Sequence, residues 1–174
     1  IYYKLTADIY LNDINSSLWD EKLGCNQWFA SGETQSVNNF KYTVLDGDGH
    51  IIYGLYYEHP ASSTSSVRVG LIPTMGIGSV VKNVAISGAY IDMYYPDDFA
   101  ATIAGSVDAW NNSKWPMDSK DAVANAGIRN DEEFQANQPQ IINCLADSTC
   151  YVSAQKNYGG FVGASSGCFL MENC

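Results

Sequence analysis

The sequence is poor in charge, and poorest in positive charge. Only 16% of its 174 residues are charged, with 9 Lys and Arg against 19 Asp and Glu, so the net charge is −10. Soluble domains average about 25% charged residues. An acidic surface repels phosphate groups, and we therefore expect neither a nucleic-acid partner nor binding to anionic membranes.

Long apolar runs and histidines are also scarce. No apolar stretch approaches the ~20 residues that span a bilayer. The two histidines, His50 and His59, leave few candidates for acid–base chemistry. The length suits one globular domain over residues 1–174, large enough to bury roughly 70% of its unfolded surface.

Neutral polar and aromatic residues take the place of the missing charge, including 12 Tyr and 4 Trp. Aromatic rings stack on ligands while their polar tips form hydrogen bonds. This composition favours a non-catalytic binding or adhesion protein, secreted or on a cell surface, that recognises a glycan or a protein surface. The candidate ligand-binding residues are Trp28, Tyr56, Tyr57, Trp110 and Trp115.

Four of the five cysteines lie in the last 31 residues of the sequence. We predict the disulfides Cys168–Cys174 and Cys144–Cys150, with Cys25 left free. Other pairings stay open, since five cysteines with two bridges allow about 15 patterns. Clustered cysteines are typical of oxidising compartments, which places the protein outside the cell, at its surface or in a periplasm. The spacing does not suit a zinc site.

The apolar pattern predicts an α+β fold with a mainly antiparallel sheet. Apolar residues recur at steps of three and four over residues 1–20, which indicates an amphipathic helix. The strand-like segments 40–45 and 51–57 flank the turn residues 46–50, which favours a β-hairpin. Helical spacing returns in the short segments of 97–147, and a C-terminal strand pinned by a disulfide follows. No internal repeat is visible.

A small secreted hydrolase is an alternative function. Glu58, on a strand beside two tyrosines, could act as one of a carboxylate pair, and Cys25 could act as a nucleophile with a histidine base. The segment Tyr56-Tyr57-Glu58-His59-Pro60 resembles the Tyr-Tyr-Glu-Trp-Pro strand of fungal guanyl-specific ribonucleases. The resemblance implies that Glu58 is a general base. We predict no catalytic residue, because the histidine that would complete that site is missing.

The turn at residues 46–50 has acidic residues that alternate along the chain. Asp46, Asp48 and His50 could converge on one ion, such as calcium, but the segment lacks the later residues of an EF-hand loop. Aspartate and glycine also suit a tight turn for backbone reasons, and we therefore predict no metal and no cofactor.

The overall layout resembles type IV pilins and minor pilins. The features that carry the resemblance are the expected N-terminal helix, the sheet and a disulfide loop at the C-terminus. This alternative implies a filament subunit that self-assembles.

Overall fold

The chain is wound into a parallel β-helix. The computed structural model describes residues 1–28, 40–60, 62–63, 65–108, 137–166 and 169–174. In this part of the chain, every paired strand lies parallel to the strand at the same position in a neighbouring coil. Each coil depends on its neighbours to cover its backbone and its apolar side chains, as in other solenoids.

The described elements are short. In chain order the strands are β1 (Tyr2–Lys4), β2 (Ile9–Tyr10), β3 (Val44–Asp46), β4 (Ile51–Tyr53), β5 (Tyr56–His59), β6 (Arg68–Val69), β7 (Ile72–Gly76), β8 (Val80–Lys82), β9 (Ala85–Ser87), β10 (Tyr90–Met93), β11 (Phe99–Ala100), β12 (Ala104–Asp108), β13 (Gln140–Ile142), β14 (Leu145–Ala146), β15 (Tyr151–Ala154), β16 (Asn157–Tyr158), β17 (Val162–Ser165) and β18 (Leu170–Glu172). One helical turn, α1 (Ser17–Asp20), precedes β3, and the Ser16 hydroxyl caps it by accepting from the Trp19 amide.

Successive strands of a coil belong to five different sheets. Their strand orders are β1-β3-β8-β13-β18, β2-β4-β9-β14, β5-β10-β15, β6-β11-β16 and β7-β12-β17. A residue's neighbours across a sheet are therefore one whole coil away in sequence. The coils differ in length: Val44 pairs with Val80, 36 residues later, Val80 with Gln140, 60 later, and Gln140 with Leu170, 30 later.

The core is a set of columns of inward-facing side chains. Val81 pairs with Ile141, and Ile52 pairs with Ile86, and three of these four residues have no exposed surface. Ile91, at the centre of the third sheet, is also fully buried. Each such aliphatic side chain contributes about 1.5–3 kcal/mol through its burial.

Asparagines form a column at the corner between the first two sheets. Asn83, Asn143 and Asn173 each follow a strand of the first sheet, and their φ values are 54°, 51° and 52°. Asparagine tolerates this left-handed conformation better than most residues. The Asn143 amide donates to Oδ1 of Asn83 at 3.2 Å, and the Asn83 amide donates to Oδ1 of Asp46 at 2.9 Å. The column therefore ties consecutive coils together.

The predicted α+β fold with an antiparallel sheet is wrong. Residues 1–20 contain β1, β2 and only the single turn α1, instead of an amphipathic helix. The expected hairpin partners β3 and β4 belong to different sheets, and each pairs with strands of other coils. Asp48 and Gly49 do have positive φ, but their turn makes a corner of a coil.

The helices expected in 97–147 are also wrong where the structure describes this segment. It contains β11 and β12 before residue 109, and β13 and β14 after residue 136. Residues 109–136 lie outside the described residues. The pilin-like layout depended on the N-terminal helix, and the filament hypothesis is not taken further.

The disulfide expected to pin the C-terminal strand is not found among the described cysteines. Cys25, Cys144, Cys150 and Cys174 are all free thiols. Cys144 and Cys150 flank β14 and do not form the expected bridge: their Sγ atoms contact the carbonyl oxygens of Val81 and Ile86, respectively. Cys168 lies outside the described residues, so the structure does not address Cys168–Cys174.

Candidate functional site

Three stacked tyrosines mark the outer face of the sheet β5-β10-β15. Tyr56, Tyr90 and Tyr151 occupy the same register on the three strands. The ring centroids of Tyr56 and Tyr90 are 5.9 Å apart, with 16° between the planes, and those of Tyr90 and Tyr151 are 5.1 Å apart, with 17°. Parallel strands about 4.8 Å apart bring identical side chains into this offset stack.

Two carboxylates lie two residues further along the same strands. Glu58 on β5 pairs in register with Asp92 on β10, so both side chains point to the face that bears the tyrosines. The Tyr56 hydroxyl donates to Oε2 of Glu58 at 2.9 Å. Oδ2 of Asp92 accepts from the Tyr94 hydroxyl at 2.7 Å and from Tyr90 at 3.4 Å. We call Tyr56, Glu58, Tyr90, Asp92, Tyr94 and Tyr151 the tyrosine face.

The carboxylates change the acidity of the tyrosines around them. The hydrogen bond to Asp92, together with its negative charge, raises the pKa of Tyr94 to about 12. Burial is the main reason why the pKa values of Tyr56 and Tyr90 lie above their ordinary range, and the nearby carboxylates add to it. These hydroxyls therefore remain protonated donors at neutral pH.

Exposure varies along the tyrosine face. Tyr56 and Asp92 are 5% and 6% exposed, whereas Tyr151 is 48% exposed and Tyr94 44%. Glu58 is exposed as well. Within the described residues, no Lys, Arg or His nitrogen lies within 4.0 Å of either carboxylate. The face thus combines a covered ring stack with carboxylate oxygens that lack a described ion pair.

The first coil closes one end of the tyrosine face. Trp19 of α1 packs edge-on against Tyr56, with centroids 6.2 Å apart. The Lys22 ammonium lies 4.6 Å from the Trp19 ring centroid and 4.7 Å from that of Tyr90, and it donates to the Trp19 carbonyl at 2.6 Å. Cation–π contacts of this kind contribute about 0.5–2 kcal/mol.

A cavity of about 510 Å³ opens beside Trp19, within the loop that carries α1. Asn12 holds this loop to the coil below: its amide donates to the carbonyl oxygens of Gly54 and Asn26, and its Oδ1 accepts from the Asn26 amide. The cavity is lined by Tyr10, Leu11, Asn12, Asp13, Ser16, Leu18, Trp19, Leu23, Gly24, Cys25 and Asn26. This volume is within the range of small-molecule sites.

The inner face of β5 carries a second ionisable pair. His59 and Asp98 are 6% and 0% exposed, and Nδ1 of His59 lies 2.7 Å from Oδ2 of Asp98. Oδ1 of Asp98 accepts from the Val67 amide at 2.9 Å, and Oδ2 accepts from the Tyr95 amide at 3.3 Å. With these partners and this burial, the pair braces the corner between two sheets and does not face a ligand.

The candidate ligand-binding residues lie in different surroundings. Tyr56 belongs to the tyrosine face, but Tyr57 is 5% exposed and packs in the core. Trp28 is half-buried against the core, and its indole nitrogen donates to the Leu71 carbonyl at 3.2 Å. Trp110 and Trp115 lie outside the described residues.

Sequence reasoning missed Tyr90, Asp92, Tyr94 and Tyr151. A signal for two of them was present: Tyr56-x-Glu58 and Tyr90-x-Asp92 repeat the same pattern of a tyrosine followed two residues later by an acid. Tyr151-x-Ser153 continues it without the acid. Unequal coil lengths conceal the repeat from a search at a fixed period.

The acidic turn at residues 46–50 does not gather its side chains around one point. Asp46 contacts Tyr2, Asn83 and Lys82, while Asp48 pairs with Lys4 and His50 with Asp8. The hydrogen bond from Tyr2 is the main cause that lowers the pKa of Asp46 far below its usual range. In the described ranges, no three His, Cys, Asp or Glu side chains are arranged to hold a metal ion.

In comparisons with known proteins, no family model, no curated protein and no solved structure matched this chain. Among the residues described, no helix is long and apolar enough to cross a bilayer.

Proposed function

We propose that this protein is a non-catalytic, secreted or surface-exposed binding protein that recognises a glycan through the tyrosine face. The observation that carries the proposal is the outward stack of Tyr56, Tyr90 and Tyr151 beside the in-register carboxylates Glu58 and Asp92. The cavity next to Trp19 lengthens the same surface.

The chemistry of the tyrosine face suits sugar hydroxyls. Tyrosine hydroxyls already donate to one oxygen of each carboxylate, which orients the carboxylates. Their remaining lone pairs accept hydrogen bonds from neutral donors such as sugar hydroxyls. An anionic ligand would be repelled by both carboxylates and by the net charge of −10.

An aromatic platform is present at one end of the stack. The rings of Tyr56 and Tyr90 are covered by their neighbours, but Tyr151 lies on β15, the edge strand of the sheet in the described part of the chain. With 48% of its surface exposed, Tyr151 offers its ring to the apolar face of a pyranose.

Binding to immobilised neutral glycans is the first test, followed by affinity measurement on the glycan that is retained. We expect Glu58→Gln and Tyr151→Ala each to weaken binding at least about 10-fold, which corresponds to roughly 1.4 kcal/mol. Matched controls are Glu172→Gln and Tyr158→Ala, since both residues are exposed but belong to other sheets.

The proposal fails if no neutral glycan binds, or if the controls weaken binding as much as the test variants. Capture of a glycan-free protein ligand that is lost in Glu58→Gln would replace the glycan by a protein surface as the partner. Binding of an anionic glycan by the wild-type chain would contradict the electrostatic argument.

Glycoside hydrolysis is the second candidate, favoured by the register of Glu58 and Asp92. Neighbouring strands place their Cα atoms about 4.8 Å apart, and retaining glycosidases use carboxyl groups about 5–5.5 Å apart. Release of new reducing ends from the bound glycan measures this activity. Hydrolysis predicts a loss of at least about 100-fold in both Glu58→Gln and Asp92→Asn. Binding with no release of reducing ends leaves the non-catalytic function.

A further inference from the structure

Two cysteines occupy equivalent positions on consecutive coils at the C-terminal end of the described chain. Strands β13 and β18 pair in parallel, with Ile142 opposite Glu172, and the next residues are Asn143 and Asn173, both with φ near 50°. Cys144 and Cys174 follow directly. The same turn geometry in both coils keeps these two residues in register.

The distance between the two coils suits a disulfide. Neighbouring parallel strands lie about 4.8 Å apart, and disulfides join Cα atoms about 4.4–6.8 Å apart. The Cys174 Sγ already lies 3.4 Å from the Cys144 backbone nitrogen. The two side chains also hydrogen-bond each other, which adds to the effect of burial in raising the pKa of Cys144 to about 11.

The two thiols differ in access to solvent. Cys144 is 2% exposed and Cys174 is exposed. Sγ of Cys144 contacts the carbonyl oxygens of Ile142 and Val81 at 3.4 and 3.7 Å, and Sγ of Cys174 contacts those of Glu172 and Ile141 at 3.2 and 3.5 Å. Both thiols therefore lean toward the preceding coil. A rotation of the Cys144 side chain toward Cys174 is the only movement that bond formation requires.

We propose that Cys144 and Cys174 form a disulfide between consecutive coils when the protein meets a small-molecule disulfide such as oxidised glutathione. The exposed Cys174 thiolate attacks the oxidant, forms a mixed disulfide and releases one thiol. The Cys144 thiolate then attacks the Cys174 sulfur and releases the second thiol. Two protein thiols are oxidised to one disulfide, and the oxidant is reduced to two thiols, while the two protein protons pass to the released thiolates.

The bond would act on the last coil. It closes a loop of 30 residues and ties β18, which pairs only with β13 among the described strands, to the coil below. A loop of that length restricts the unfolded chain strongly, and we expect the Tm to rise by about 10 °C on oxidation. The inference is independent of the tyrosine face and of its ligand.

Oxidation of the whole chain with oxidised glutathione, followed by alkylation of the remaining thiols in denaturant, tests the proposal. Chymotryptic cleavage after Leu145, Tyr151 and Phe169 separates the four C-terminal cysteines into different peptides. We expect a peptide pair linked through Cys144 and Cys174. A link from Cys174 to Cys168, or alkylation of both Cys144 and Cys174 after oxidation, would overturn the proposal.

Variants separate the bond from general effects of oxidation. Cys144→Val places at this position the residue that Val84 already supplies in the coil below, and it should fold while losing the oxidative rise in Tm. Cys174→Ser should lose the rise as well, whereas Cys150→Ser should keep it. A rise that persists in both Cys144→Val and Cys174→Ser would assign the effect to other cysteines.

Discussion

The two faces of strand β5 use similar side chains for opposite purposes. On the outer face, Tyr56 and Glu58 lie beside Tyr90 and Asp92, and these carboxylates have no described ion pair. On the inner face, His59 and Asp98 are both nearly inaccessible, and Asp98 is surrounded by three donors. Glu58 and His59 are neighbours in sequence, yet only Glu58 can reach a ligand.

The difference teaches that proximity in sequence does not assign a shared role on a strand. Side chains alternate between the two faces, so an acid and a base in adjacent positions cannot act on one substrate atom. The outer carboxylates are the better functional candidates because they are accessible. The inner pair is spent on closing a corner of the coil.

The largest expected effect comes from breaking the inner pair. Asp98→Ala leaves the buried donors of His59, Val67 and Tyr95 without their acceptor, and we expect a loss of about 3–5 kcal/mol in the free energy of unfolding. Urea denaturation measures it.

The control is the adjacent Asp97→Ala, because Asp97 is exposed and pairs with the exposed Lys156, so its loss should stay below about 1 kcal/mol. Equal losses for the two variants would contradict the assignment of Asp98 to the core. Glycan affinity per folded molecule should be unchanged in either variant.

A smaller effect should come from the outer stack, and it should depend on position. Tyr90→Ala removes two ring contacts, whereas Tyr151→Ala removes one, and each contact contributes about 0.5–1.5 kcal/mol beyond area burial. We expect Tyr90→Ala to be the more destabilising variant in thermal unfolding. If Tyr151→Ala costs as much stability, the stack does not end at Tyr151.

The smallest effect concerns the titration of Tyr94. Its pKa is raised from an ordinary 10.0 to about 12, so the folded state favours the protonated phenol. Its contribution to stability is present below pH 10 and is lost as the pH rises toward 12. A difference titration of tyrosinate absorbance between wild type and Tyr94→Phe isolates this group.

Asp92→Asn should return the pKa of Tyr94 toward its ordinary value, because it removes the negative charge that the phenol faces. The Glu172→Gln variant serves as the control, since it removes an exposed charge on another sheet. An unchanged titration in Asp92→Asn would show that Asp92 does not set the acidity of Tyr94.

The predicted helices failed for a physical reason that these coils share. Phe99, Ile103 and Val107 recur every four residues, as on a helix face, but they lie in β11, in the following turn and in β12. Short strands joined by short turns return an apolar residue to the interior about every four positions. Helical spacing and a tightly wound β coil therefore give the same pattern.

The failed hairpin has a different cause. The residues of the turn at 46–50 suit a reversal of the chain, and Asp48 and Gly49 do adopt positive φ. Strand pairing, however, was decided by β8 and β9 in the next coil, which begin 36 and 34 residues beyond β3 and β4. Local turn chemistry cannot show that a more distant partner offers a whole sheet.

The inward register of β4 and β5 was also only partly visible in sequence. Strict alternation places Ile51, Tyr53, Leu55 and Tyr57 on one face. In the structure the left-handed turn at Gly54, with φ of 71°, resets the alternation, and Ile52, Leu55 and Tyr57 face the core. A corner inside the segment changes which residues point inward.

The sequence by itself determined the composition of the surface and the local turn conformations. Its acidity, its many tyrosines and the left-handed preferences of Asn83, Asn143 and Asn173 are properties of single residues. Only the tertiary structure decided which tyrosines stack, which carboxylates lie side by side and which cysteines meet. These contacts join coils 30 to 61 residues apart, and parallel pairing between coils, not local preference, sets them.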